Sequence, residues 1–176
     1  FDEMETIHHT KCKPLSICLM VNEEYQVLQA QVAEMPAKGR LAEFSRKRYG
    51  PRLDQREAVM DQSFKDVIMG LQNDPAKVLS DAKHSYRKYV DKYFPNAEYS
   101  AHSRVQKEKQ QERLHEKMQK KKFDPLFALN QRCAKLRSQI KRLTRRSWCT
   151  TKKIENLQGH LDLFVVMQFR PLFLRS

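Results

Sequence analysis

The stretch LSICLMVNEEYQVLQAQVAE, residues 15–34, decides the fold. Leu15, Ile17, Leu19 and Val21 place an apolar residue at every second position, which is the period of a pleated strand. Asn22-Glu23-Glu24 is a polar turn. Leu28, Ala30 and Val32 then alternate with Gln29 and Gln31, giving a second strand. Two such runs joined by a short turn predict a β-hairpin.

Residues 1–7, ahead of the hairpin, read as a further strand cut at its start. After it, Met35-Pro36-Ala37-Lys38-Gly39 breaks the pattern. A basic stretch follows, with Arg40, Arg46, Lys47, Arg48 and Arg52 opposed by Glu43. Val59, Phe64, Val67, Ile68 and Leu71 recur at helical spacing and predict a helix over 53–71, ended by Asn73-Asp74-Pro75. Residues 77–80 are a short apolar run leading into Asp81 and read as a buried strand. Tyr86, Tyr89, Val90 and Phe94 form one helical face, closed by Pro95-Asn96, and residues 97–101 read as a last strand. Residues 107–122 are very polar, either a charged helix or a solvated segment.

Asp124-Pro125 is a strong helix start, an acid at the N-cap and a proline at the first helical position. Leu126, Leu129, Cys133, Leu136, Ile140 and Leu143 follow in steps of three and four, the clearest periodic signal in the chain. No acid occurs between Asp124 and Glu155, so this helix and the loop after it are uniformly basic. A second helix is expected from about Thr151 through Ile154, Leu157 and Leu161. Strands, helix, strand, helix, strand and terminal helices, in that order, predict an α/β fold, a mixed sheet flanked by helices. No internal repeat is present.

The chain has 176 residues, enough for one domain with an adequate core. Its formal net charge is +13, which points to a polyanionic partner, because Lys and Arg at phosphates release condensed counterions. Cys12, Cys18, Cys133 and Cys149 form no CxxC pair, which argues against a zinc ribbon. We read them as reduced, in a cytoplasmic protein. No apolar run reaches the roughly 18 residues of a membrane span, and no signal peptide is visible. The longest run, 161–167, is interrupted by Asp162. The abrupt start at Phe1 is read as the edge of a longer protein. The six histidines have no close metal-ligand spacing, and Trp148 reads as a core anchor.

Four segments carry a resemblance. FDEMETIHHTKCKPLS (1–16), MPAKGRLAEFSRKRYGPR (35–52), LSDAKHSYRKYVDKYFPNAEY (79–99) and FDPLFALNQRCAKLRSQIKRLTRRSWCTTKKIENLQGHLDLF (123–164) resemble segments of DDE insertion-sequence transposases, in the order in which that family has them. The resemblance implies an RNase H-like domain over 1–123 and a basic helical segment over 124–176 packed on it. It implies a prokaryotic, nucleoid-associated enzyme, a homo-oligomer when active, that cuts and rejoins DNA. Its acids would hold two Mg²⁺ or Mn²⁺ ions. Hard cations prefer oxygen ligands, and two of them about 3.5–4 Å apart serve both the attacking and the leaving oxygen.

Carried over by position, Asp2 in FDEMET matches the first acid and Asp81 in LSDAKHSY the second. Glu116 is the match for the third, with Glu112 one helical turn earlier as the alternative. Arg46, Lys47, Arg48, Arg142, Arg145, Arg146, Lys152 and Lys153 are the expected contacts to DNA phosphates, which position a duplex without reading its sequence. The chain departs from the family in three places. The polar run 107–122 replaces a glycine-containing turn, almost nothing precedes Asp2 where the family's first strand begins several residues earlier, and FVVMQFRPLFLRS (164–176) leaves the expected pattern after Phe164; the family's N-terminal recognition module is read as absent. Three readings therefore stay open: an active transposase portion, a truncated or inactive copy, and a non-enzymatic basic nucleic-acid-binding protein.

Overall fold

The computed structural model describes residues 1–102, 124–144 and 149–168. The described chain is mixed α/β. Three antiparallel strands, β1 (Asp2–His8), β2 (Thr10–Val21) and β3 (Val27–Glu34), form one sheet with β2 in the centre. Two further strands, β4 (Lys77–Asp81) and β5 (Glu98–His102), pair in parallel. Five helices accompany them among the described residues: α1 (Leu41–Tyr49), α2 (Arg56–Gly70), α3 (Arg87–Tyr93), α4 (Phe127–Gln139) and α5 (Ile154–Gln168). None is long and apolar enough to cross a membrane.

The hairpin over residues 15–34 forms as its alternation requires, but β2 is longer and more deeply placed than a half-buried strand. Every residue from Leu15 to Met20 is buried. Leu15, Ile17 and Leu19 face a core completed by Leu129, Leu136, Leu157 and Leu161 of α4 and α5. Cys18 and Met20 face a second core with Met60, Phe64 and Val67 of α2 and Tyr86, Tyr89 and Val90. A strand covered on both faces is apolar at consecutive positions, which accounts for ICLMV. Leu28 leaves the face of Ala30 and Val32. The β2–β3 pairing steps from Met20↔Gln29 to Val21↔Val27, so Leu28 is the extra residue of a bulge and joins the second core.

The two hairpin turns are built differently. His9 alone caps β1–β2, with φ 65, a left-handed conformation uncommon for a residue carrying Cβ. At the other turn Asn22 Oδ1 accepts from the Gln26 amide at 2.8 Å while Asn22 and Gln26 also pair through their backbones.

The outer edge of β3 is closed by side chains of α5. Val32 N donates to Gln158 Oε1 at 2.9 Å, and Gln158 Nε2 donates to Ala30 O at 3.0 Å. Gln168 repeats the pattern on Val27, accepting from its N–H at 3.0 Å and donating to its carbonyl at 2.8 Å. Two glutamines thus satisfy ladder positions that an exposed edge would leave open to another chain.

Several boundaries differ from the periodicity. α1 lies within a stretch read only as basic. It docks through Ser45, whose hydroxyl donates to Cys12 O at 2.6 Å, and ends at Gly50 with φ 77. α4 begins at Phe127, although Asp124 does serve its start by accepting from the Leu126 amide at 2.9 Å. It stops at Gln139; Ile140 and Leu143 continue the apolar stripe through a 3₁₀ turn, Lys141–Leu143. α5 begins at Ile154, because Thr151 is held in extended backbone as an isolated bridge partner of His8.

Candidate functional site

β1 begins at Asp2 and β4 ends at Asp81. The Phe1 nitrogen donates to Leu79 O at 2.7 Å, so the start of β1 lies alongside β4 and brings the two aspartates into each other's field. The Asp2 carboxyl is held above its ordinary range, first by burial and then by the charge of Asp81. Two hydrogen bonds work in the opposite direction, from the Glu3 amide at 2.6 Å and from the Tyr86 hydroxyl at 3.2 Å, both to Asp2 Oδ1. Asp81 Oδ1 accepts from the Lys83 amide at 3.2 Å.

A third acid borders the pair. Glu3 forms an ion pair with the Lys83 ammonium, which also stands 5.0 Å above the Tyr86 ring. The Tyr86 hydroxyl is pushed far above its ordinary range by burial and then by Glu3, Asp2 and Asp81. It therefore stays a proton donor throughout the working pH range and cannot become an anion beside three carboxylates. Tyr86 is almost fully buried, packed against Phe1 with ring centroids 4.9 Å apart, so its hydroxyl is held where Asp2 needs a donor.

Lys83 is engaged by Glu3, and the Phe1 ammonium lies beside Asp2 and Asp81, which repel one another. Two carboxylates within each other's field are hard oxygen donors of the kind a divalent cation takes, and a cation there would lessen the part of the Asp2 rise that Asp81 adds to burial. Among the described residues no group of three His, Cys, Asp or Glu side chains is arranged to hold a metal. Glu112 and Glu116 lie outside the described residues.

Sequence reasoning singled out Asp2 and Asp81 but did not assign roles to Glu3, Lys83 or Tyr86. Tyr86 read as core, which it is, and its hydroxyl is the part that periodicity cannot see. His84 sits exposed in the 3₁₀ turn His84–Tyr86. None of the four cysteines forms a disulfide. Cys18 is inert: burial pushes its thiol up to about 12, and Sγ rests 3.2 Å from Met60 Sδ.

The expected phosphate contacts divide into groups. Arg46, Lys47 and Arg48 are exposed on α1, and Lys152 and Lys153 are exposed just ahead of α5. Arg142 is half-buried in the turn after α4. Arg145, Arg146 and Trp148 lie outside the described residues. Comparisons with known protein families, with curated proteins and with solved structures return no match to this chain.

Proposed function

We propose that the chain is the catalytic portion of a DDE-type transposase, a metal-dependent polynucleotidyl transferase acting on DNA in the cytoplasm. The observation that carries this reading is the meeting of Asp2 and Asp81, distant in sequence, at adjacent ends of β1 and β4 beside a donor that stays protonated. A three-stranded antiparallel sheet, a separate parallel pair linked to the start of β1 by the Phe1–Leu79 bond, and helices on both faces suit an RNase H-like arrangement.

Asp2 and Asp81 would hold the cations, with Glu116 or Glu112 as third ligand. Two Mg²⁺ or Mn²⁺ ions, when bound, activate a water or a 3′-hydroxyl and stabilise the departing oxygen. Tyr86 fixes one oxygen of Asp2 and leaves the other for a ligand. Lys83 neutralises Glu3, so that Glu3 adds no third repelling charge to the pair. The basic residues hold phosphates and position the strand.

Manganese titration followed by calorimetry, together with a strand-cleavage assay on duplex DNA, tests this. Binding that disappears in Asp81→Asn, with cleavage lost in the same variant, is the expected result. Absence of divalent-ion binding to the parent chain would remove the enzymatic reading. The second reading, a non-enzymatic nucleic-acid-binding protein, draws on the +13 charge and on cations placed well away from the acids.

A further inference from the structure

Three stretches far apart in the chain meet at the β1–β2 turn. The turn residues 8–13 form the middle. On one side α1 is fastened by the Ser45–Cys12 hydrogen bond, and the Tyr49 ring sits 4.5 Å below the Lys13 ammonium and 5.7 Å from the Arg48 guanidinium. On the other side, residues 151–152 meet the end of β1: His8 pairs with Thr151, His8 Nε2 donates to Lys152 O at 2.9 Å, and the Lys152 ammonium donates to His9 Nδ1 at 2.7 Å. The meeting joins cations that the sequence spaces more than a hundred residues apart, Lys47 and Lys153 among them.

These cations share with Lys135, Lys141 and Arg142 the lack of an ion pair among the described residues, but they alone are gathered from three separate stretches. Nine ion pairs occur among the described residues, and their basic members are at positions 38, 52, 56, 65, 77, 83, 87, 88 and 92. Among the described residues, no carboxylate pairs with Lys11, Lys13, Lys47, Arg48, Lys152 or Lys153. All but the half-buried Lys13 are exposed. Like charges that outnumber the nearby acids, Glu43 and Glu155, raise the local potential and favour a polyanion. The face is also well separated from the acid pair. β1 runs between them, and its seven residues span about 20 Å.

We propose that this end of the sheet is a second, phosphate-holding surface for duplex DNA, built from β2, α1 and the approach to α5. It rests on the polynucleotide reading above and adds a contact that the acid pair does not supply. Duplex is favoured over single strand by the aromatic side chains. Among the described residues of this surface, Tyr49 is faced by two cations and the exposed Phe44 is the other ring on α1, which is no run of open rings on which successive bases stack. Contacts of this kind are independent of sequence and weaken with salt.

The test uses the full 176-residue chain in EDTA, with fluorescence anisotropy of a labelled duplex of arbitrary sequence over a salt series. The variant Lys11→Gln/Lys47→Gln/Lys153→Gln removes one exposed cation from each stretch. Lys65→Gln/Lys77→Gln/Lys88→Gln makes the same charge change elsewhere, and thermal melts check that both remain folded. We expect the first variant to lose affinity about tenfold or more and to flatten the log–log salt dependence by about three, while the second changes little. Equal losses in both variants would reduce the effect to net charge and overturn the proposal. Tighter binding of polyglutamate than of duplex at equal charge would overturn it in favour of an acidic protein partner. Duplex binding that fails only in the first variant, in a chain with no divalent-ion affinity, would support this surface while removing the strand-cutting reading.

Discussion

The hydroxyl of Tyr86 donates a hydrogen bond to the carboxylate of Asp2 at 3.2 Å, across 84 residues of chain. One is a buried core residue and the other opens an edge-proximal strand, so the bond ties the second core to the acidic site. Tyr86→Phe keeps the ring and removes the donor. We expect a stability loss of about 1 kcal/mol. We also expect a further rise of the Asp2 pKa, and hence a few-fold weaker manganese binding whose deficit grows as pH falls. Calorimetric titration at two pH values checks this, and unchanged affinity at both would remove Tyr86 from the site.

The raised Asp2 carboxyl has a defined pH signature. Its folded-state pKa lies above the ordinary 3.8, so protonation favours the folded chain. That stabilising contribution is complete below 3.8 and is lost as pH rises through the higher folded value. At neutral pH Asp2 is therefore a destabilising residue in EDTA, and Asp2→Asn should raise stability on the order of 1 kcal/mol. Denaturant melts with and without manganese check both halves. The metal should stabilise the parent and leave Asp2→Asn unmoved.

Gln158 closes the β3 edge with two hydrogen bonds. Gln158→Ala should cost about 1–3 kcal/mol, because the Val32 N–H and the Ala30 carbonyl, both part-buried, lose their partners. It should also increase self-association at high concentration by exposing the strand edge. Sedimentation velocity would reveal the second effect, and a variant that stayed monomeric with parental stability would contradict the role of the glutamine.

Leu157 and Leu161 of α5 are fully buried against Leu15, Ile17 and Leu19. Leu161→Ala should cost about 2–5 kcal/mol through lost burial and the remaining cavity. Met167→Ala, six residues further on and 65% exposed, should cost little by comparison. Paired urea melts distinguish the two faces of the helix.

Much of the architecture was legible because it repeats locally. The alternation of Leu15, Ile17 and Leu19 and the three-and-four spacing of Leu129, Cys133 and Leu136 are consequences of strand and helix geometry, which the chain expresses without knowing its neighbours. α1 escaped this reading. Its docked face is the single buried Ser45, and Phe44 remains 52% exposed, so no apolar stripe announces the helix. Leu28 was assigned to the wrong face because a bulge is a property of a strand pair and leaves no mark in one strand's period.

The sequence by itself determined the hairpin, the principal helices and the basic charge, since each follows from residue type and local spacing, whereas Asp2 and Asp81 were singled out through the resemblance. Only the tertiary structure decided that Asp2 and Asp81 share a field, that Tyr86 serves Asp2, and that Lys47 and Lys153 stand at one end of the sheet. Those relations depend on which strands lie together and which loop folds back on which turn. Long-range pairing of that kind is set by the burial of two separate cores, and no stretch of sequence contains it alone.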